Sequence, residues 1–171
     1  MGHVGRFTEA KNHEFILNVF HEYSKKNLDS VLLLAGDGEL LADVKKQVQN
    51  LKLKNKVKFL GLRSDINKLY SAMDVLLFPS VFEGLPLTLV EAQVNGLSIV
   101  ASDRIDRNVD LTGHIKFLPL EEKLECWIDA LNCSIRVRYN NFEDISKNGY
   151  DMSVEVKKLE QIYLGKGKKC K

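Results

Sequence analysis

Short apolar runs alternate with longer amphipathic segments along the chain. The runs are rich in aliphatic and β-branched residues and predict six strands, at 3–5, 31–35, 57–60, 75–78, 98–101 and 115–118. Between them, apolar residues recur at helical spacing and predict helices at 12–26, 40–51, 66–70, 87–95, 121–131 and 154–164. This alternation is typical of βαβ units, so we predict an α/β fold, a three-layer parallel sheet of about six strands with helices on both faces.

Two helix ends carry a local signal. Ser64 or Asp65 is a suitable N-terminal cap for the helix at 66–70. Gly96 directly follows the helix at 87–95, as a C-terminal cap does.

Composition predicts one globular domain without a nucleic-acid partner. The 171 residues are 44% hydrophobic, which suffices for one core. Lys and Arg number 25 against 23 Asp and Glu, and they are scattered, so no field of a single sign favours nucleic acid. No apolar run is long enough to span a bilayer and no signal peptide is visible, so we expect a cytoplasmic protein. The basic run at 166–171 is a candidate for peripheral contact with the inner face of the membrane, although we favour its interpretation as a solvated, frayed end of the chain.

No residue pattern predicts a metal or a cofactor. Cys126, Cys133 and Cys170 form no C-x-x-C pair, and no histidine has metal-ligand spacing with another His, Cys or acid. The loops supply neither a Ser-His-Asp nor a Cys-His set. The turn Gly36-Asp37-Gly38 lacks the full G-x-G-x-x-G spacing of a dinucleotide site.

Glycines, prolines and charges are concentrated in the segments that follow the strands. Because the carboxyl ends of parallel strands meet at one edge of a sheet, these segments share one rim, where ligands of such folds bind. They are 5–6, 36–38, 61–63, 79–86 and 102–103.

The segment PSVFEGLPLTLVEA is the most informative of them. Gly84 and Pro86 break the chain after a strand, and a helix starts within a few residues, which exposes backbone N–H groups from Gly84 to Thr88 to a phosphate or a hydroxyl-rich ligand. Glu83 and Glu91 flank this set of N–H groups, and each carboxylate can accept hydrogen bonds from a vicinal diol of a sugar or a ribose.

Two cations follow the first strand. Arg6 and Lys11 are suited to neutralise a departing diphosphate, and Gly5 lets the backbone approach the ligand closely. Two interpretations of Arg63 are open: it is an ordinary exposed arginine, or it contacts the base or a phosphate of the ligand.

Five segments in order resemble the C-terminal domain of retaining, GT-B-fold glycosyltransferases of group 1: VGRFTEAKN, LLLAGDGEL, VKFLG, INKLYSAMDVLLFPSVFEGLPLTLVEA and SIVASD. The resemblance covers 2–103, and 111–131 resembles enzymes of capsular or exopolysaccharide biosynthesis. It implies a Rossmann-like sheet that forms the C-terminal half of a GT-B fold.

The resemblance also implies roles for single residues. It places Glu83 on the hydroxyls of the donor sugar and Glu91 on the nucleotide ribose, with Arg6 and Lys11 on the diphosphate. Backbone groups line the sugar at Gly84, Leu85 and Pro86, approach the phosphate and ribose at Leu87 and Thr88, and lie beside the base at Leu62 and Arg63. The implied reaction transfers a sugar from a nucleoside diphosphate to an acceptor hydroxyl with retention and needs no metal.

The chain departs from that family in two places. Many members carry a Gly-Gly-containing segment with a Glu soon after the position of Asp103, where this chain reads DRIDRNVDLTG. The chain also begins at the first strand of the C-terminal domain, so we expect residues 1–171 to be a single nucleotide-sugar-binding domain. The N-terminal domain, which binds the acceptor glycan or lipid-linked sugar, would be absent, and transfer by this chain alone undetectable.

Two other functions fit the residues. One is a non-catalytic module that binds a nucleotide or sugar phosphate, which would keep Arg6 and the helix N-terminus but have no need of paired acids. The other is a GT-B-fold sugar-nucleotide epimerase, which shares the sheet and depends on different acids.

Overall fold

The structure is a computed structural model that describes residues 1–135 and 137–165. The strands in these residues are β1 Gly2–Val4, β2 Leu32–Ala35, β3 Val57–Gly61, β4 Leu76–Phe78, β5 Ile99–Ser102 and β6 Ile115–Leu118. They form one parallel sheet in the order β3-β2-β1-β4-β5-β6. Each lies within two residues of its predicted position, and the predicted fold class is confirmed.

Helices cover both faces of the sheet. They are α1 His13–Lys26, α2 Leu41–Asn50, α3 Ile66–Ala72, α4 Leu87–Val94, α5 Leu124–Ser134, α6 Phe142–Lys147 and α7 Met152–Tyr163, with 3-10 turns at Glu9–Lys11 and Arg107–Val109. One apolar core joins α1, α2 and α5 to the sheet, and a second joins α3 and α4 to its other face. Successive strand residues enter opposite cores, Leu77 the first and Leu76 and Phe78 the second. Burial on both faces explains why the strands are continuous apolar runs.

One predicted helix boundary and one predicted capping bond are wrong. Helix α5 begins at Leu124 rather than at 121, because a turn precedes it in which the Glu122 N–H donates to the Pro119 carbonyl at 3.2 Å. Asp65 is the N-cap residue of α3, but its side chain caps nothing, since its carboxylate accepts from Arg63 instead.

The end of α4 is as predicted. Gly96 has a left-handed φ of 69°, its N–H donates to Gln93 O at 2.9 Å, and the Leu97 N–H donates to Ala92 O at 3.0 Å. This is the pair of bonds of a Schellman cap.

The segment after α5 ties the ends of α3 and α4 together. The Arg138 guanidinium donates to the carbonyl oxygens of Tyr70 at 2.8 Å and Ser71 at 3.2 Å, and also to that of Met73. The Asn141 amide donates to Gln93 O at 3.0 Å. The sequence did not predict α6, which has six residues and a single buried one, Ile145, so it lacks a periodic apolar pattern.

The basic run at 166–171 lies outside the described residues, so its membrane contact stays a prediction. In the part of the chain that the structure describes, none of the helices has both the length and the apolar character needed to cross a bilayer.

Two buried histidines lie between β1 and α1, beneath the rim. His3 is fully buried, and its Nδ1 lies 2.9 Å from the Leu77 carbonyl oxygen. A carbonyl only accepts, so Nδ1 carries the proton. The His13 ring stacks on Phe7 at a centroid distance of 4.1 Å and meets His3 edge-on at 5.0 Å. Among the described residues, His3 Nε2 and both ring nitrogens of His13 have no hydrogen-bond partner.

Burial keeps both imidazoles neutral. Loss of solvation, followed by the positive charge of neighbouring groups, lowers the pKa of His3 to about 3. Loss of solvation, followed by the charge of Lys11, lowers the pKa of His13 to about 4. Below an ordinary histidine pKa of about 6.5, the unfolded chain therefore binds protons that the folded chain does not.

We expect the free energy of unfolding to fall as the pH is lowered from 7.5 to 5.5, by roughly 1 kcal/mol for each ring, because proton uptake favours the unfolded chain in this window. Replacing His13 with Phe keeps a ring against Phe7 and should remove about half of the loss. Urea unfolding of the native chain and His13→Phe at the two pH values measures this. An equal loss in both proteins would contradict it.

Candidate functional site

The loops after β1 and β4 meet because these two strands are neighbours. The Val81 N–H donates to Ala10 O at 2.8 Å, and the Asn12 side-chain amide donates to Pro79 O at 3.3 Å. These two bonds fix the 3-10 turn Glu9–Lys11 on the loop that leads to α4.

Lys11 and Glu83 form the central ion pair of the rim. Lys11 Nζ lies 2.6 Å from Glu83 Oε1, and their side chains are only 17% and 12% exposed. The ammonium also lies 4.9 Å from the centroid of the Phe78 ring. A Cβ at Gly5 would lie 3.2 Å from Lys11 Cε and 3.0 Å from His3 Nε2. The lysine therefore runs through a slot that a glycine leaves, and solvent screens the pair less than a surface pair.

The glycines of the 36–38 turn are explained by backbone packing. A side chain on Gly36 would collide with the carbonyl oxygen of Gly5, and one on Gly38 with the backbone of Phe7. This contact supports the loop that carries Arg6, which is exposed and makes no ion pair within the described residues. The turn thus has a structural role that requires no dinucleotide.

Within the part of the chain that the structure describes, the first two N–H groups of helix α4, at the rim, have no hydrogen-bond partner. Pro86 is its N-cap residue and provides no side-chain cap for Leu87 and Thr88, the first two helical residues. The first N–H groups of a helix have no partner within it, and they carry a partial positive charge. A Cβ at Gly84 would meet nothing within 4 Å, and Leu85 and Leu87 are exposed. The start of α4 is open to an anion.

Glu91 lies on the second turn of α4 and faces α3. The Tyr70 hydroxyl donates to Glu91 Oε2 at 3.0 Å, and burial together with the negative charge of Glu91 raises the pKa of Tyr70, so the hydroxyl keeps its proton. A groove of about 430 Å³ runs between the two helices; its lining includes Glu91, Tyr70, Ser64, Asn67 and Asn95. Glu83 therefore belongs to the ion pair beside β1, whereas Glu91 belongs to this groove.

The loop after β3 carries Leu62 and Arg63, which are both exposed. Leu62 is 79% exposed, and Arg63 binds Asp65 through two nitrogens, at 2.8 Å each. The structure places Ser64 of this loop in the groove and leaves the Arg63 guanidinium on Asp65.

Two residues near the site were missed by the sequence analysis. Asn12 has a left-handed φ of 55°, which turns the chain sharply between Lys11 and α1, and its residue type is the one available signal because asparagine tolerates this conformation. Tyr70 was assigned only to the apolar pattern of α3, since nothing local links it to an acid 21 positions later. Among the described residues there is no group of three or more metal-ligating side chains.

Comparison with known proteins identifies the family. Residues 1–117 match the family described as glycosyl transferases group 1. Putative glycosyltransferase EpsF of Bacillus subtilis is 34% identical over 168 residues, 95% of this chain and 44% of that protein. The UDP-Gal:alpha-D-GlcNAc-diphosphoundecaprenol alpha-1,3-galactosyltransferase of Escherichia coli is 30% identical over 170 residues, 94% of this chain and 44% of that protein. The capsular polysaccharide biosynthesis glycosyltransferase CapH of Staphylococcus aureus is 28% identical over 171 residues, 96% of this chain and 47% of that protein.

A solved structure shares the fold. HepE of Anabaena in complex with UDP superposes with a TM-score of 0.75 at 21% identity, over 96% of this chain and 48% of that one, and HepE has also been solved with UDP-glucose. This chain thus spans a little under half the length of the curated relatives named above, 44% to 47%. On the match over residues 1–117, this chain belongs to the glycosyl transferases group 1 family.

Proposed function

We propose that this chain binds the nucleoside diphosphate sugar donor of a retaining glycosyltransferase of polysaccharide biosynthesis. The observation that carries the proposal is the Lys11–Glu83 ion pair of 2.6 Å beside the uncapped start of α4. It brings a cation for phosphate, a carboxylate for sugar hydroxyls and backbone N–H donors to one rim.

The diphosphate is bound by Arg6, Lys11 and the N–H groups of Leu87 and Thr88. As the bond to the sugar breaks, negative charge grows on the departing phosphate, and these groups stabilise it from fixed positions. The two side chains supply the positive charge, so the proposal includes no metal. The exposure of Arg6 and the slot that holds Lys11 support these two roles in binding the diphosphate.

The sugar lies against Glu83 and the backbone of 84–86, where the carboxylate orients its hydroxyls. The ribose lies against Glu91 in the groove between α3 and α4, with the base beside Leu62 and Arg63. Because HepE is solved with UDP-glucose and the Escherichia coli relative is named for UDP-Gal, we propose a UDP-linked sugar.

The acceptor is a lipid-linked sugar or a growing glycan, by analogy with the diphosphoundecaprenol in the name of the Escherichia coli relative. Such an acceptor places the reaction at the inner face of a membrane. In this proposal a further domain binds it, since the relatives are about twice as long as this chain.

Titration of the native chain with UDP, by calorimetry and in EDTA, should give measurable binding. Arg6→Ala and Lys11→Ala should each weaken it by about 10- to 100-fold, because each removes a charge-assisted hydrogen bond. The matched control is Lys25→Ala, which removes a surface lysine that pairs with Glu22 at 2.6 Å. A folded native chain that binds none of UDP, GDP and ADP would falsify the proposal.

Substitution of the two acids, Glu83 and Glu91, distinguishes this function from that of a non-catalytic binding module. Suppose that Glu83→Ala and Glu91→Ala both leave the affinity for UDP-glucose unchanged while Arg6→Ala abolishes it. The paired acids would then have no role in the donor site, and the binding module would become the better explanation.

Replacing Glu83 with Gln should have opposite effects on two ligands. Lys11 loses its carboxylate partner and becomes available to the diphosphate, so UDP should bind about threefold to tenfold more tightly. The additional affinity for UDP-glucose or UDP-galactose over UDP should be lost, because the amide orients the sugar hydroxyls less well. Glu9→Gln is the control, an equal change of charge on an exposed residue of the same turn. Parallel weakening of UDP and the sugar nucleotides would contradict this role of Glu83.

A further inference from the structure

Glu91 depends on a single side chain for its orientation. It is an exposed residue, and within the described part of the chain the one side-chain hydrogen bond it makes is to the Tyr70 hydroxyl, at 3.0 Å. An exposed glutamate otherwise samples many rotamers, and ordering it costs side-chain conformational entropy. A partner that orders it beforehand reduces what a ligand must supply.

Tyr70 is itself held rigidly. Its side chain is 1% exposed and belongs to the core that joins α3 and α4 to the sheet. Its own carbonyl oxygen accepts from the Arg138 guanidinium at 2.8 Å, which fixes the end of α3. The hydroxyl is thus presented from a packed element rather than from a loop.

The hydroxyl can also be assigned a direction. It has one proton and two acceptors in reach, Glu91 Oε2 at 3.0 Å and the Thr88 carbonyl oxygen at 3.4 Å. The nearer acceptor is also the charged one, so the proton points to Glu91. A carboxylate has about four lone-pair sites. One bond from Tyr70 therefore leaves both oxygens able to accept a hydroxyl each.

Two neighbouring hydroxyls on a ring match this arrangement. The groove of about 430 Å³ beside Glu91 is large enough for a nucleoside, and Ser64, Asn67 and Asn95 add polar groups to its wall. We propose that Tyr70 is a positioning residue that holds the Glu91 carboxylate for the ribose 2′- and 3′-hydroxyls and so makes the site selective for ribonucleotides. This inference rests on the proposed function of the site.

The test compares UDP with 2′,3′-dideoxy-UDP by calorimetry, on the native chain, Tyr70→Phe and the control Tyr150→Phe. The native chain should prefer UDP. Tyr70→Phe should reduce that preference by about fivefold through a weaker affinity for UDP alone, and Tyr150→Phe should leave it unchanged. A role of Tyr70 in packing alone would weaken both ligands equally. The ratio of the two affinities is also insensitive to partial unfolding, because an unfolded fraction lowers both by the same factor.

A second variant covers the case in which Tyr70→Phe does not fold. Glu91→Asp keeps the charge on an exposed residue but draws the carboxylate back from Tyr70, so it should lose most of the preference for UDP. Full preference in either folded variant, or equal weakening of both nucleotides, would overturn the inference while leaving the proposed function standing. A native chain that binds UDP and dideoxy-UDP equally would overturn it as well. Absence of all nucleotide binding would overturn both proposals.

Discussion

The placement of β1 beside β4 is the constraint on which the candidate site depends. From this pair the chain proceeds outward in opposite directions, to β2 and β3 on one side and to β5 and β6 on the other. The connections after the two central strands therefore diverge and leave a crevice at their carboxyl ends, as in other open parallel sheets with such a reversal. Residues 72 positions apart in sequence, Lys11 and Glu83, meet there because of strand order.

The core beneath the crevice supports its electrostatics. Were His3 or His13 protonated, a second positive charge would stand close to Lys11. Burial holds both imidazoles neutral, so neither adds a positive charge beside Lys11. The slot at Gly5 then limits where that cation can lie. Packing and charge act together here, since the apolar surroundings that stack the rings also suppress their ionisation.

The sequence predicted those features that depend on local patterns. The six strands are apolar runs, and the cap at Gly96 follows from a residue that tolerates a positive φ. Local reasoning was wrong at Asp65, where a neighbouring arginine competes for the carboxylate that would otherwise cap α3. It gave no strand order and could not pair Tyr70 with Glu91, because both are consequences of tertiary packing. The roles assigned to the site residues remain predictions, whereas the contact between Lys11 and Glu83 is a property of the fold.

The start of α4 illustrates a trade-off between stability and use. A Ser, Thr, Asp or Asn at the position of Pro86 would typically stabilise such a helix by about 1 kcal/mol through its side chain. That side chain would also occupy the N–H groups that an anion needs. A helix without a side-chain cap at this place is less stable, but its first N–H groups remain available to a bound anion. The melting temperature of the chain should accordingly rise when an anion binds there. A side-chain cap would raise the stability of the free protein and weaken its affinity for the anion.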